Sequence, residues 1–99
     1  MAALQDLDPL LHSQLRLAVI SILMSVETAE FSFLKTKTGA TAGNLSVQIT
    51  KLKDAGYIAV DKKFKENYPQ TVCKITKTGF QAFEIYVKAL ESYIKPDLS

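Results

Sequence analysis

The chain has no tryptophan, and among its 99 residues there are one cysteine, one histidine, three prolines and four glycines. A lone Cys73 excludes an intrachain disulfide and fits a reducing compartment. It falls in a strand-like stretch, where a buried, inert thiol is the usual state. With only Cys73 and His12 available, the clusters that hold structural or sensing metals are excluded. Paired carboxylates and glycine-rich phosphate loops are also missing, so the sequence points away from an enzyme and implies no cofactor. His12 reads as a surface or interface residue. There is no long apolar run. Leu15 to Val26 is too short to span a bilayer and is broken by Arg16, Ser21 and Ser25. No basic region precedes an apolar stretch at the N-terminus, so no signal peptide is expected, and the expected location is cytoplasmic.

What is present is a globular composition, 47% hydrophobic and 9% aromatic. The length suits one domain with a modest core that dimerisation would reinforce. Net charge is only +2, but it is unevenly spread. From Lys35 to Lys77, nine lysines stand against Asp54, Asp61 and Glu66, a net +6, while the remainder carries −4. A basic middle between acidic ends suits a central segment that faces an anion.

Along the chain, Asp8-Pro9 has the form of a helix start, and Ser13 offers a second, so a first helix is expected over about residues 8–26, with a break near His12 left open. Nine of the twelve residues from Leu15 to Val26 are apolar. A helix apolar nearly all round must be covered on more than one side, and Leu15 and Val19 are therefore expected to meet a partner subunit. Phe31 is a candidate for a very short strand. Ser32 is the expected cap of a short helix from Phe33 to Thr38, with Leu34 inward and Gly39 as its stop. Thr41 caps the next helix, Ala42 to Ala55, whose Ala42, Leu45, Ile49 and Leu52 form one face. Gly56 ends it in left-handed backbone. Tyr57 to Lys65 alternates as a strand with Ile58, Val60 and Phe64 inward. Glu66 to Pro69 reads as a turn and Gln70 to Ile75 as the returning strand. Thr76 caps a last helix to about Lys95. Its Phe80, Phe83, Val87, Leu90 and Ile94 recur as a heptad seam, widened by Tyr86, Ala89 and Tyr93. Phe83, Tyr86, Val87, Leu90, Tyr93 and Ile94 are the expected dimer contacts on that helix.

The order of elements is that of a helix-turn-helix (32–55) followed by a hairpin wing (57–75) and a C-terminal dimerisation helix (76–95). With its apolar edge on the core, helix 42–55 presents Asn44, Val47, Gln48 and Lys51 together at i, i+3, i+4 and i+7. Asn and Gln can each pair bidentately with adenine, and the methyls of a valine can touch a thymine methyl. Thr41 and Gly43 stand at the helix N-terminus, where backbone N–H groups favour phosphate. Lys51 suits phosphate. Lys62, Lys63, Lys65 and Lys74 frame a hairpin tip carrying Asn67 and Tyr68, a basic wing that can follow the phosphate backbone. Solvated surface polarity, or protection of an edge strand by charge, is the alternative for these residues.

Leu15-Arg16-Leu17-Ala18-Val19-Ile20, Gly43-Asn44-Leu45-Ser46, Leu52-Lys53-Asp54-Ala55-Gly56-Tyr57-Ile58 and Ile75-Thr76-x-x-Gly79-x-x-Ala82-Phe83 together resemble the small winged-helix transcriptional regulators related to the MarR and ArsR groups. The resemblance runs over about residues 10 to 94. It implies a mainly α fold with a β-hairpin wing. It also implies a homodimer built from the terminal helices, which binds a pseudo-palindromic double-stranded DNA operator in a prokaryotic cytoplasm. The wing departs from the family: Tyr68-Pro69-Gln70-Thr71 stands where an arginine is common. Two alternatives stay open. One is a winged helix used for protein contact. The other is a DNA binder controlled by a small-molecule effector near Phe80, Phe83, Tyr86 and Tyr93.

Overall fold

A computed structural model describes residues 4–96. The element order is α1 (Gln14–Met24), β1 (Ala29–Glu30), α2 (Phe31–Thr38), α3 (Ala42–Asp54), β2 (Ile58–Lys65), β3 (Tyr68–Ile75) and α4 (Lys77–Ile94). The three strands form one antiparallel sheet in the order β1-β3-β2. Leu11, Val19, Ile20, Leu23, Leu34, Leu45, Leu52 and Cys73 are its largest fully buried side chains. The expected winged helix-turn-helix is therefore present.

Several local expectations need correction. The first helix begins at Gln14 rather than at residue 8. Asp8 does act as a cap, but of a separate turn: its side chain accepts from the Leu10 N–H at 2.9 Å and its carbonyl from the His12 N–H at 2.8 Å. The chain then bends, and Ser13 becomes the second start. The short strand is Ala29–Glu30 instead of Phe31, and Glu30 takes the N-cap position expected of Ser32, with no side-chain capping bond. Ala42 is exposed and does not belong to the inward face of α3. The hairpin turn is only Glu66-Asn67, at φ 53° and 67°. A two-residue turn with both φ positive matches the right-handed twist of its strands. Pro69 thus lies inside β3 opposite Phe64, beyond the reach of the short β1, where its missing N–H leaves no ladder partner unpaired. Phe64 keeps the inward parity of Ile58 and Val60, yet it has run past the core and is 78% exposed.

One layer of neighbours does cover α1. It packs against α2, α3, β3 and α4, and only Gln14 and Ser21 along its length are exposed. Val19 is closed inside its own core, and Leu15 is half-buried beside Ala40 and Asn44. Val19 is therefore not placed to meet a partner. Among the described residues no helix is long and apolar enough to cross a membrane.

Two sequence signals, the Ala-Gly-Tyr-Ile junction and Ile-Thr-x-x-Gly, are the two halves of one joint. At the end of α3, Tyr57 N–H donates to the Leu52 carbonyl at 3.0 Å and Gly56 N–H to that of Lys53 at 2.9 Å, with Gly56 at φ 79°. This is a Schellman closure, which needs left-handed backbone. Across from it, the Thr76 hydroxyl accepts from Gly79 N–H at 3.0 Å and donates to the Gly56 carbonyl at 2.6 Å. Thr76 N–H donates to the Tyr57 carbonyl at 3.0 Å. Gly79 lies so close that a Cβ there would stand 2.1 Å from that carbonyl oxygen.

The N-terminal segment is strapped across this joint and along α4. The Tyr57 phenol donates to Asp8 Oδ2, His12 Nδ1 lies 3.1 Å from the Tyr86 hydroxyl, and the Tyr93 phenol donates to the Gln5 carbonyl at 2.8 Å. The bond to the Asp8 carboxylate, with burial and the carboxylate's charge adding to it, pushes the Tyr57 phenol up to about 12.

Two predictions follow from the joint and its strap. Gly79→Ala forces backbone to move, so it should cost about 1–3 kcal/mol or more in urea unfolding; an unchanged midpoint would contradict the close approach. Because the folded-state pKa of Tyr57 lies above its ordinary value, the stability it contributes is complete below pH about 10 and is lost as pH climbs through about 12. A tyrosinate absorbance step near pH 12 should therefore be seen in the native protein and vanish in Tyr57→Phe.

Candidate nucleic-acid interface

Helix α3 is set up at both ends. Gly39, at φ 69°, stops α2 with its N–H on the Lys35 carbonyl at 3.0 Å. The Thr38 hydroxyl donates to the Leu34 carbonyl at 2.7 Å and accepts from Ala40 N–H at 3.3 Å. These bonds fix the turn between the two helices. Thr41 then caps α3, its hydroxyl accepting from Asn44 N–H at 3.2 Å. Leu45, Ile49 and Leu52 point into the core. Asn44, Val47 and Lys51 are exposed on the other side, Val47 by 52%, and Gln48 is half-buried. Gly43 is exposed, and a Cβ there would meet nothing of this chain.

The half-burial of Gln48 has a specific cause. Arg16, on α1, donates from Nη1 to Gln48 Oε1. Gln48 Nε2 in turn donates to Asn44 Oδ1 at 3.0 Å. Arg16 is itself held by a 2.6 Å bond from Nε to the Leu10 carbonyl. The two amides therefore act as one connected unit, and a free bidentate pairing of each with adenine does not describe them. Sequence patterning missed Arg16 because the residue interrupts an apolar run; its place on the face of α1 that crosses α3 is set by the tertiary fold.

The wing lysines divide between two faces. In the register of β2 and β3, Lys65 lies opposite Tyr68, Lys63 opposite Gln70 and Ala59 opposite Lys74. Alternation along the strands puts Lys63, Lys65, Lys74 and Tyr68 on one side and Lys62 with Phe64 on the other. Lys62 borders a groove shared with Thr50 and Lys53 of α3, so Lys53 joins the basic surface next to that helix. Asn67 supplies the left-handed backbone of the turn, which gives it a structural reason to be there. Lys63 Nζ is 3.7 Å from Asp61, with both side chains more than half exposed. Such a pair contributes between about 0 and 1 kcal/mol, so this lysine is effectively still available to an external anion.

On α4 the apolar stripe divides in the same way. Gly79, Tyr86 and Ala89 are buried, with Ala82, Phe83 and Leu90 packed beside them. Phe80, Val87 and Ile94, spaced by seven, are exposed, as are Ile85 and Tyr93. Tyr86 faces its own core and His12, so it is removed from the set of expected dimer contacts. Phe80, Phe83, Tyr86 and Tyr93 do not converge on one cavity: Phe83 and Phe80 border different grooves, and the phenols of Tyr86 and Tyr93 are engaged by His12 and Gln5. Burial pushes the Cys73 thiol up, away from the reactive thiolate.

Comparison with known proteins agrees with this architecture. Residues 15–94 match the model of the family described as Winged helix DNA-binding domain. The chain is 33% identical over 76 residues to an uncharacterized protein, MJ0432, of Methanocaldococcus jannaschii, covering 77% of this chain and 83% of that one. Its structure superposes with a TM-score of 0.80 on a transcriptional regulator homologue from Pyrococcus horikoshii OT3, at 27% identity, covering 86% of this chain and 84% of that one. The fold is also that of a MarR mutant from E. coli complexed with operator DNA, at TM-score 0.66 and 15% identity, covering 84% of this chain and 57% of that one. A capped, outward-facing helix in a helix-turn-helix, a basic hairpin beside it and a family match over 15–94 lead to one assignment: the chain belongs to the winged helix DNA-binding domain family.

Proposed function

We propose that this protein is a sequence-specific transcriptional regulator that binds double-stranded DNA as a homodimer, with α3 in the major groove. The observation that carries the reading is the exposed edge of α3, where Asn44, Val47 and Lys51 stand clear of the subunit, with Gln48 between them. This edge is polar and uncharged at its centre, with lysines around it, which suits base edges flanked by phosphates. A protein-docking edge would be more apolar. Thr41 and Gly43 bring backbone N–H groups at the helix start towards a phosphate. Lys63, Lys65 and Lys74 lie on one face of the wing with Tyr68 and contact the backbone beyond the groove.

The dimer rests on α4. Phe80, Val87 and Ile94 form an exposed apolar strip at heptad spacing, next to a groove lined by Met24, Phe83 and Ile85. Val87 and Ile94 are 38% and 67% exposed in the lone subunit. Leu90 and Phe83 border the strip from the core side, and Tyr93 extends it. A contiguous patch of this kind marks an association surface. Two subunits so joined would place their α3 helices on half-sites about 34–36 Å apart.

Selection of bound DNA from a random library should recover an inverted repeat, and affinity for it should fall steeply with salt. Lys65→Ala should weaken all sequences alike and reduce the salt slope by about 1; a base-selective loss would contradict a phosphate contact. Absence of any enriched sequence would withdraw the proposal in favour of a protein-contact module. Val87→Glu should sediment as a folded monomer, whereas a persisting dimer would place the interface elsewhere.

A further inference from the structure

We infer that Arg16, although it lies on α1, is a specificity-determining residue: it orients the amides of Gln48 and Asn44 so that α3 presents N–H donors to the major groove and prefers acceptor edges, guanine N7/O6 or thymine O4, to adenine. The inference rests on the DNA-binding reading above and deepens it.

The polarity of the pair follows from chemistry. A guanidinium has five N–H donors and no acceptor. The Gln48 atom it meets must therefore be the carbonyl oxygen, which leaves Nε2 on the far side of the carboxamide. The Asn44 atom facing Nε2 at 3.0 Å must then be an acceptor, Oδ1, which directs Nδ2 away from the pair. One donor-only residue thus sets the sense of two amides in series. Arg16 has little freedom to let go. Its Nε is held by the Leu10 carbonyl at 2.6 Å, and that turn is closed by Asp8, whose carboxylate also takes the Tyr57 phenol.

The consequence for readout is direct. Bidentate pairing with adenine needs one amide to offer oxygen to N6 and nitrogen to N7 together. Gln48 oxygen is engaged by Arg16 and Asn44 oxygen by Gln48, so although each keeps a second lone pair, neither is free to turn towards N6 without breaking its bond. The remaining hydrogens, both on Asn44 Nδ2 and one on Gln48 Nε2, are donors. Guanine offers two acceptors in the major groove, and thymine offers O4 beside a methyl that the exposed Val47 can touch. Lysine cannot replace Arg16 here, because a point charge on a flexible stem cannot bond Leu10 and Gln48 in one plane.

The test compares wild type, Arg16→Met, Arg16→Lys and Gln48→Ala by selection from a random duplex library, with circular dichroism as a check of folding. Gln48→Ala identifies the base position that Gln48 reads. Wild type should select guanine or thymine there. Arg16→Met should admit adenine, with discrimination against it falling about tenfold, while affinity for non-specific DNA and the salt slope stay unchanged. Adenine selected by wild type, or an identical preference in Arg16→Met, would overturn the inference. So would a uniform loss on every sequence, since it would make Arg16 a phosphate ligand. A folded wild type that enriches nothing removes the DNA-binding reading and the base preference with it. The network is tested separately in free, 15N-labelled protein without DNA. The side-chain NH2 resonances of Gln48 should shift in Arg16→Met and in Arg16→Lys; if they do not move, the orienting contact is absent. Should Arg16→Met fail to fold, Arg16→Lys carries both measurements.

Discussion

The joint between Gly56-Tyr57 and Thr76-Gly79 is the constraint on which the rest of the molecule depends. It fixes α3, β2 and α4 relative to one another at a single point. The Thr76 hydroxyl is at once the cap of α4 and a donor to the end of α3, and the Tyr57 carbonyl passes over Gly79 at a distance no Cβ allows. If the approach loosened, α3 and α4 would lose their common reference. In the proposed twofold dimer, the spacing of the two α3 helices would be set by that reference, so a tight local contact would control a distance of about one DNA turn.

The forces divide cleanly between holding the fold and leaving its surface available. Burial of a leucine contributes about 1.5–3 kcal/mol, and Leu11, Leu23, Leu34, Leu45 and Leu52 are all essentially inaccessible. By contrast, the one ion pair among the described residues joins two exposed side chains, a contribution of at most about 1 kcal/mol. The lysines of the wing and of α3 are thus not engaged in stabilising the subunit. Their charges, concentrated between Lys35 and Lys77, remain to interact with an external anion, and that anion can be released by salt without unfolding the protein.

Much of this was legible in the sequence, for identifiable reasons. Caps at Thr41 and Thr76 and stops at Gly39 and Gly56 act within a few residues, and each does what its residue type requires. The inward set Leu45, Ile49 and Leu52 follows from helical periodicity alone. The errors arose where distant parts of the chain decide. Asp8 has the chemistry of a helix cap, but the bend at Ser13 limits it to one turn. Periodicity put Tyr86 at the edge of a seam, while packing against His12 turned it inward. The apolar run of α1 suggests a partner along the whole helix, yet its own subunit packs against it on several sides and closes over Val19, Ile20 and Leu23. Pro69 reads as turn in the sequence because nothing local reveals that β1 stops short and leaves that position of β3 unpaired.

Arg16 shows the same limit at the site itself. The wing has no arginine, although a guanidinium is the side chain best suited to a narrow minor groove. The chain's single arginine instead sits beside α3, bonded to Leu10 on one side and Gln48 on the other. A planar fork can hold two acceptors in fixed relation, which an ammonium group cannot. On the proposed reading, the position of this residue shifts discrimination away from the wing and onto α3, leaving the lysines of the hairpin a task that needs charge but little geometry. The N-terminal segment enters the same chain of contacts, through Asp8 and the turn that carries the Leu10 carbonyl. Residues well outside the helix-turn-helix thereby bear on how the amides of α3 are held.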